Sequence, residues 1–252
     1  MGNYNDLQKA MPTMVFKEGP QDVLVWDDFM GFNMSATAGL ADWLLTETAA
    51  GATELLDTAA ANGILEFTFT ATPTDEDVIQ IQRNSGFQID SLKANTPFRF
   101  GCRFKTADVS HNDLHIGLSI IDASIAASEP ADIVAFRIVA ADGDGQLDLL
   151  VQKNSVEQVN SGIVTLADDT WCRAFFEFWP TTGNTDSGKL HYEVHTNGTV
   201  ATGTMTIVDT FPDDVVIYPT ISAQIEGTDA DVYSFDWIYA HGIRADYVAG
   251  TG

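Results

Sequence analysis

The residues able to do chemistry are few and scattered. The stretch "VAADGDGQLDLLVQKN", residues 139–154, packs Asp142, Gly143, Asp144 and Gly145 together and invites a calcium reading. An EF-hand counted from Asp142 needs an oxygen ligand, a glycine and a glutamate where this chain has Gln146, Leu147 and Lys153. All three fail, and Asp-Gly pairs supply the positive φ of a hairpin turn. The run is therefore expected to be a turn between two strands. His191 and His195 stand four apart in "KLHYEVH". On a strand that spacing covers about 13 Å, too far for one ion. His111 and His115 flank a turn with no third ligand in view. No metal and no cofactor is expected.

Acid–base chemistry fares no better. Retaining glycosidases need two carboxyl groups about 5 Å apart, and the strand-like stretches offer Glu66, Asp148, Glu177, Glu193 and Asp236 singly. Asp75, Glu76 and Asp77 cluster beside Pro73 and read as an acidic loop. No nucleophile elbow and no phosphate-cradling glycine loop occurs. The chain is not expected to be an enzyme. A sugar-stacking aromatic is the remaining candidate. Trp43, Trp171, Trp179 and Trp237 are the candidates. Trp171 and Trp237 lie within strands and read as core. Trp179, which ends its strand beside the polar loop "TTGNTDSG", is the best platform of the four, with packing the favoured reading even there.

The elements that position these residues are strands. Apolar residues alternate with polar ones in "GILEFTFTAT" (63–72), "DVIQIQRNSGFQI" (77–89) and "PFRFGCRFKTAD" (97–108), the mark of strands with one buried face. The same pattern returns at 114–123, 132–141, 146–154, 171–180, 189–198, 199–208, 215–227 and 231–245. The turns between them are rich in Gly, Asn and Asp. "LADWLLTETAAG" reads as a short helical or irregular segment. No long amphipathic helix interrupts the second half, which predicts an all-β, antiparallel two-sheet jelly-roll sandwich over residues 23–252. Residues 1–22 lack a period and read as an extended N-terminal arm, with Met11, Met14, Val15 and Phe16 free to dock on a neighbour.

Charge narrows the partners. The 252 residues carry 36 acids and 12 bases, net −24, which repels phosphate backbones and anionic lipid. Neither nucleic acid nor a membrane is an expected partner. The N-terminus lacks a basic region followed by an apolar run, so no signal peptide is read there. Cys102 and Cys172, the two cysteines, lie in apolar strands and are expected as buried free thiols.

The order of "WDDFMGF" (26–32), Trp43, "LADDTWCRAFFEFWP" (166–180), "YEVHTNGT" (192–199) and "SFDWIYAHGIRADY" (234–247) resembles lectin-like jelly-roll virion proteins of tailed bacteriophages. The likeness runs from residue 23 to about 247 and rests on sandwich-building residues, not on a chemical signature. It implies a concanavalin-A-like sandwich that decorates or cements a capsid, made in the host cytoplasm and carried on the capsid surface. Its implied partners are the major capsid protein and itself, as a homotrimer that the arm ties together. The alternative reading is a carbohydrate-binding, lectin-like module, with glycans as ligands.

Overall fold

The computed structural model describes residues 22–30, 33–37, 41–47, 53–57, 63–69, 77–92, 94–123, 125–126, 128–139, 145–225 and 230–243, with the backbone alone at 22–23 and 53–57. The strands are β1 (Asp22–Asp27), β2 (Met34–Ser35), β3 (Trp43–Glu47), β4 (Thr53–Asp57), β5 (Ile64–Phe69) and β6 (Val78–Arg83). Then come β7 (Phe87–Gln88), β8 (Phe98–Thr106), β9 (Asn112–Ser119), β10 (Ile133–Ile138), β11 (Gln146–Lys153) and β12 (Val156–Thr165). The last five are β13 (Cys172–Thr181), β14 (Asn184–Thr196), β15 (Thr199–Ile207), β16 (Val216–Ile225) and β17 (Asp231–Ile243). A single 3-10 turn, Ile89–Ser91, is the one helical element among the described residues.

Two sheets face each other. The eight-stranded sheet runs β15-β14-β13-β8-β17-β5-β4, with β1 also on β17. The nine-stranded sheet runs β12-β11-β10-β9-β16-β6-β3-β2, with β7 on β16. Long β17 takes β8 along one edge, and β5 and β1 in succession along the other. Alternation decides which side chains meet. Phe98, Phe100, Cys102 and Phe104 of β8 point inward with Ala174, Phe176 and Phe178 of β13, and all are buried in one apolar core. Leu114, Ile116 and Leu118 of β9 close that core from the other sheet. Cys102 and Cys172 are buried free thiols, and burial pushes both upward in pKa.

Several sequence expectations are refined. Strands β10 and β11 pair antiparallel with Arg137 opposite Asp148, so the Asp-Gly run joins two hairpin partners. Residues 140–144 themselves lie outside the described residues, and Gly145 follows at a φ of 61°. Trp43 to Glu47 forms strand β3 rather than a helical segment, because Leu44 and Leu45 alternate against β6. The first motif of the resemblance is architectural. Asp27 accepts hydrogen bonds from the Trp43 indole (2.7 Å), Arg83 (2.7 Å) and the Phe29 amide (2.8 Å), tying β1 to β3 and β6. Met11, Met14, Val15 and Phe16 lie outside the described residues.

Candidate functional site

The inward packing of β8, β13 and β14 leaves their alternate residues on the outer face of the eight-stranded sheet. Register then arranges these in transverse rows. Arg99, Glu177, His191 and Thr204 form one row, and Gly101, Phe175, Glu193 and Thr202 the next. Arg103, Arg173, His195 and Val200 form the third. Gly101 matters here: a Cβ at this position would stand 2.6 Å from Phe175 Cδ1, so glycine lets that ring lie flat on the sheet. Phe175 stacks on Trp237 (5.6 Å between centroids), which stacks on Trp26 (5.7 Å). An aromatic floor thus crosses from β1 to β13.

Beside this floor lies an open groove of about 440 Å³, lined among others by Arg99, Glu177, Trp179, His191, Glu193 and Thr204. Its walls are preorganised. The Arg99 guanidinium pairs with Glu177 at 2.6 Å, and the other oxygen of Glu177 accepts the Trp179 indole N–H at 2.5 Å. Trp179 is 40% exposed, so its ring is fixed along one edge yet open to solvent. His191 bonds Thr204 (2.7 Å), and His195 pairs with Glu193. The two histidines therefore serve different partners. Among the described residues no group of three metal-ligating side chains forms.

The structure brings together two carboxylates that the sequence showed singly. Glu177 and Glu193 line the same groove from adjacent strands, offset by one row. Each is held by its own cation or donor. Glu66 accepts from Ser234 at 3.4 Å, Asp148 from the Gly162 amide at 2.8 Å, and Asp236 pairs with Arg103. Trp43 is core. Trp171 and Trp237 are not: they lie partly exposed on the outer face, Trp171 beneath Arg103 at 4.2 Å and Trp237 in the aromatic floor. The bulge in β17 after Phe235 turns Trp237 outward, and no period-2 reading can place it.

The nine-stranded sheet has a polar outer row too: Gln80, Ser222, His115, Arg137 and Asp148 across five strands. Residues 120–123, 125–126 and 128–132 close over it. Gln80 Nε2 donates to the Asp122 carbonyl (2.7 Å), and its oxygen accepts the Ile125 amide (2.9 Å). Glu129 reaches His115 at 3.3 Å and Arg137 at 2.5 Å. Burial raises the Glu129 carboxyl, but His115 and Arg137 outweigh it and hold the group below the usual carboxylate range. Ser222 stands opposite His115, which invites a nucleophile reading. Its hydroxyl is fully buried and makes no bond to the imidazole, so this row is architecture. His111 sits apart, paired with Asp108 at 2.9 Å.

No protein-family model matches the sequence, and none of the curated proteins matches it. Solved structures do. A protein of unknown function from Shewanella oneidensis MR-1 aligns over 100% of this chain and 98% of its own, with a TM-score of 0.56 at 15% identity. Arcelin-5, a lectin-like defense protein from Phaseolus vulgaris, aligns over 89% of this chain and 100% of its own (TM-score 0.57, 9% identity). Winged bean acidic lectin, solved with methyl-alpha-D-galactose, covers 88% of this chain and 99% of its own (TM-score 0.57, 12% identity). The fold is lectin-like. At these identities the likeness speaks for the sandwich alone.

Proposed function

We propose that the chain is a non-catalytic carbohydrate-binding protein whose site is the outer groove of the eight-stranded sheet. One observation carries this reading. Trp179 is held by Glu177 at the groove's rim with much of its ring open, beside a wall of charged and hydroxyl groups. A pyranose has the complementary surface, an apolar C–H face for an aromatic ring and a rim of hydroxyls for paired donors and acceptors. Pockets of this kind combine apolar area with a few fixed polar groups. The ion pairs of Glu177 and Glu193 fix their carboxylates in place to accept hydroxyl hydrogen bonds. The lectin-like neighbours, one solved with a bound galactoside, support the same direction.

The test is a glycan array followed by titration calorimetry on full-length protein. Binding is expected, and Trp179→Ala should weaken it about tenfold or more, as loss of a stacking aromatic and its buried area does. A folded Trp179→Ala variant that binds unchanged would move the site elsewhere, and an array with no signal would end the reading.

The capsid-decoration reading rests on the sequence resemblance from Trp26 to Tyr247. None of the neighbours named above is described as a virion protein. Its own test is whether the chain, as a trimer, sediments with phage particles near one copy per capsid-protein lattice position. Glycan binding on a virion surface satisfies both readings at once.

A further inference from the structure

The outer face of the eight-stranded sheet gathers Arg99, Arg103, Lys105, Arg173 and Lys189 out of only 12 basic residues in the chain. Three of these five have acids: Arg99 pairs with Glu177, Arg103 with Asp236 and Lys105 with Asp169. Among the described residues Lys189 bonds only the Thr206 hydroxyl, at 2.5 Å. Arg173 has neither an ion pair nor a hydrogen bond among the described residues, although the chain holds 36 acids. Its cross-strand neighbour on β8 makes this costly. Arg103 stands directly opposite, and like charges in that position destabilise a sheet. The acids nearest this row are committed to its other members, Asp236 to Arg103 and Glu193 to His195, and among the described residues none pairs with Arg173.

We propose that Arg173, flanked by Arg103 and His195, binds an anionic substituent, a carboxylate or a sulfate, of the glycan that stacks on Trp179. This deepens the carbohydrate reading and rests on it. Arg173 and Trp179 lie on the same face of β13, six residues and so about 20 Å apart, which requires an oligosaccharide rather than a single sugar. The guanidinium fork fits a planar carboxylate or a sulfate edge in a bidentate manner. The Trp171 indole, stacked beneath Arg103, walls the position on one side. The net charge of −24 limits the ligand further. A dense polyanion is repelled by the molecule as a whole, so the ligand carries isolated acidic residues on a mainly neutral chain.

The experiment uses full-length protein and an array holding the same oligosaccharide backbones in neutral, uronate, uronate methyl-ester and sulfated forms. Acidic forms should bind about tenfold or more tighter than the ester, the scale of one charge-assisted hydrogen-bonding pair. The uronate and sulfated arms identify which anion the site prefers. Arg173→Gln should abolish the preference while leaving ester affinity unchanged, and Arg173→Lys should restore part of it if the glutamine variant folds poorly. The preference should shrink as salt rises. Equal binding of acid and ester, both dependent on Trp179, overturns this inference and leaves the carbohydrate reading standing. No binding of any form removes both. A change of oligomeric state in Arg173→Gln by light scattering, with sugar preference intact, assigns the row to contact between copies and refutes the proposal.

Discussion

Asp231 shows what one buried carboxyl does to this sandwich. It begins β17 at 4% exposure, accepting from Asn112 and from the Thr106 hydroxyl at 3.0 Å. Burial, with the Asp108 charge adding to it, pushes its carboxyl up to about 6 against the hydrogen bonds that favour the charged form. An unfolded aspartate titrates near 3.9. Between those values the folded chain holds a proton that the unfolded chain releases. Stability from this group is therefore full below about pH 4 and falls away as pH rises through 6, by roughly 3 kcal/mol. Asp231→Asn should flatten that stretch of the stability–pH curve in urea titrations at several pH values. An unchanged slope in the variant would show that other groups set it. Gly101 gives a second check at the same scale. Gly101→Ala forces Phe175 off the sheet and should cost about 1–3 kcal/mol by denaturant melt, a typical overpacking penalty.

Elements show where sequence is legible and where it stops. Strands with one dry and one wet face, such as β5 and β8, announce themselves by alternation, and their inward residues are those expected. Edge strand β12 announces nothing, because all ten of its residues are exposed or half-buried and no period results. Gln80 and Gln82 look like the wet face of β6, yet both are buried, since Ile120, Asp122 and Ile125 cross them from forty residues away. The exposure of Trp179 was legible in part, because its own strand end and loop adjoin it, although packing is the favoured reading of its sequence. The Arg103–Arg173–His195 row was not, because β8 meets β13 across seventy residues and only that pairing aligns the charges. The crossing segment makes its own prediction. The amides of Asp122 and Ile125 bond glutamine side chains at 3.0 and 2.9 Å, so their hydrogen exchange depends on those amides. Replacing Gln80 and Gln82 by Ala should speed exchange at 122 and 125 while β16 stays protected. Equal loss across both would mean that the segment is integral to global folding.

At the scale of the whole molecule, an excess of negative charge has to be held together by a few well-placed cations. Lys153 at the end of β11 reaches Asp186 on β14 (3.0 Å) and Asp213 before β16 (2.5 Å), bolting one sheet to the other. Its side chain is 11% exposed, and the two carboxylates, with burial opposing them, hold its ammonium above the ordinary lysine range. The ammonium therefore keeps its charge up to at least the ordinary lysine value of about 10.5, and its contribution is lost only as pH rises beyond that. Lys153→Met leaves buried Asp213 and half-buried Asp186 without their shared cation and should cost about 3 kcal/mol, lowering Tm by roughly 6–12 °C. Salt separates this contact from the general repulsion. Raising salt from about 0.01 M to about 1 M shortens the screening length from about 30 Å to about 3 Å, which quiets exposed acids but barely touches a buried pair. Tm should therefore rise with salt in both proteins, while the gap between them stays open. A gap that closes with salt would mean that Lys153 acts through the long-range field of a −24 surface and not through the buried contact.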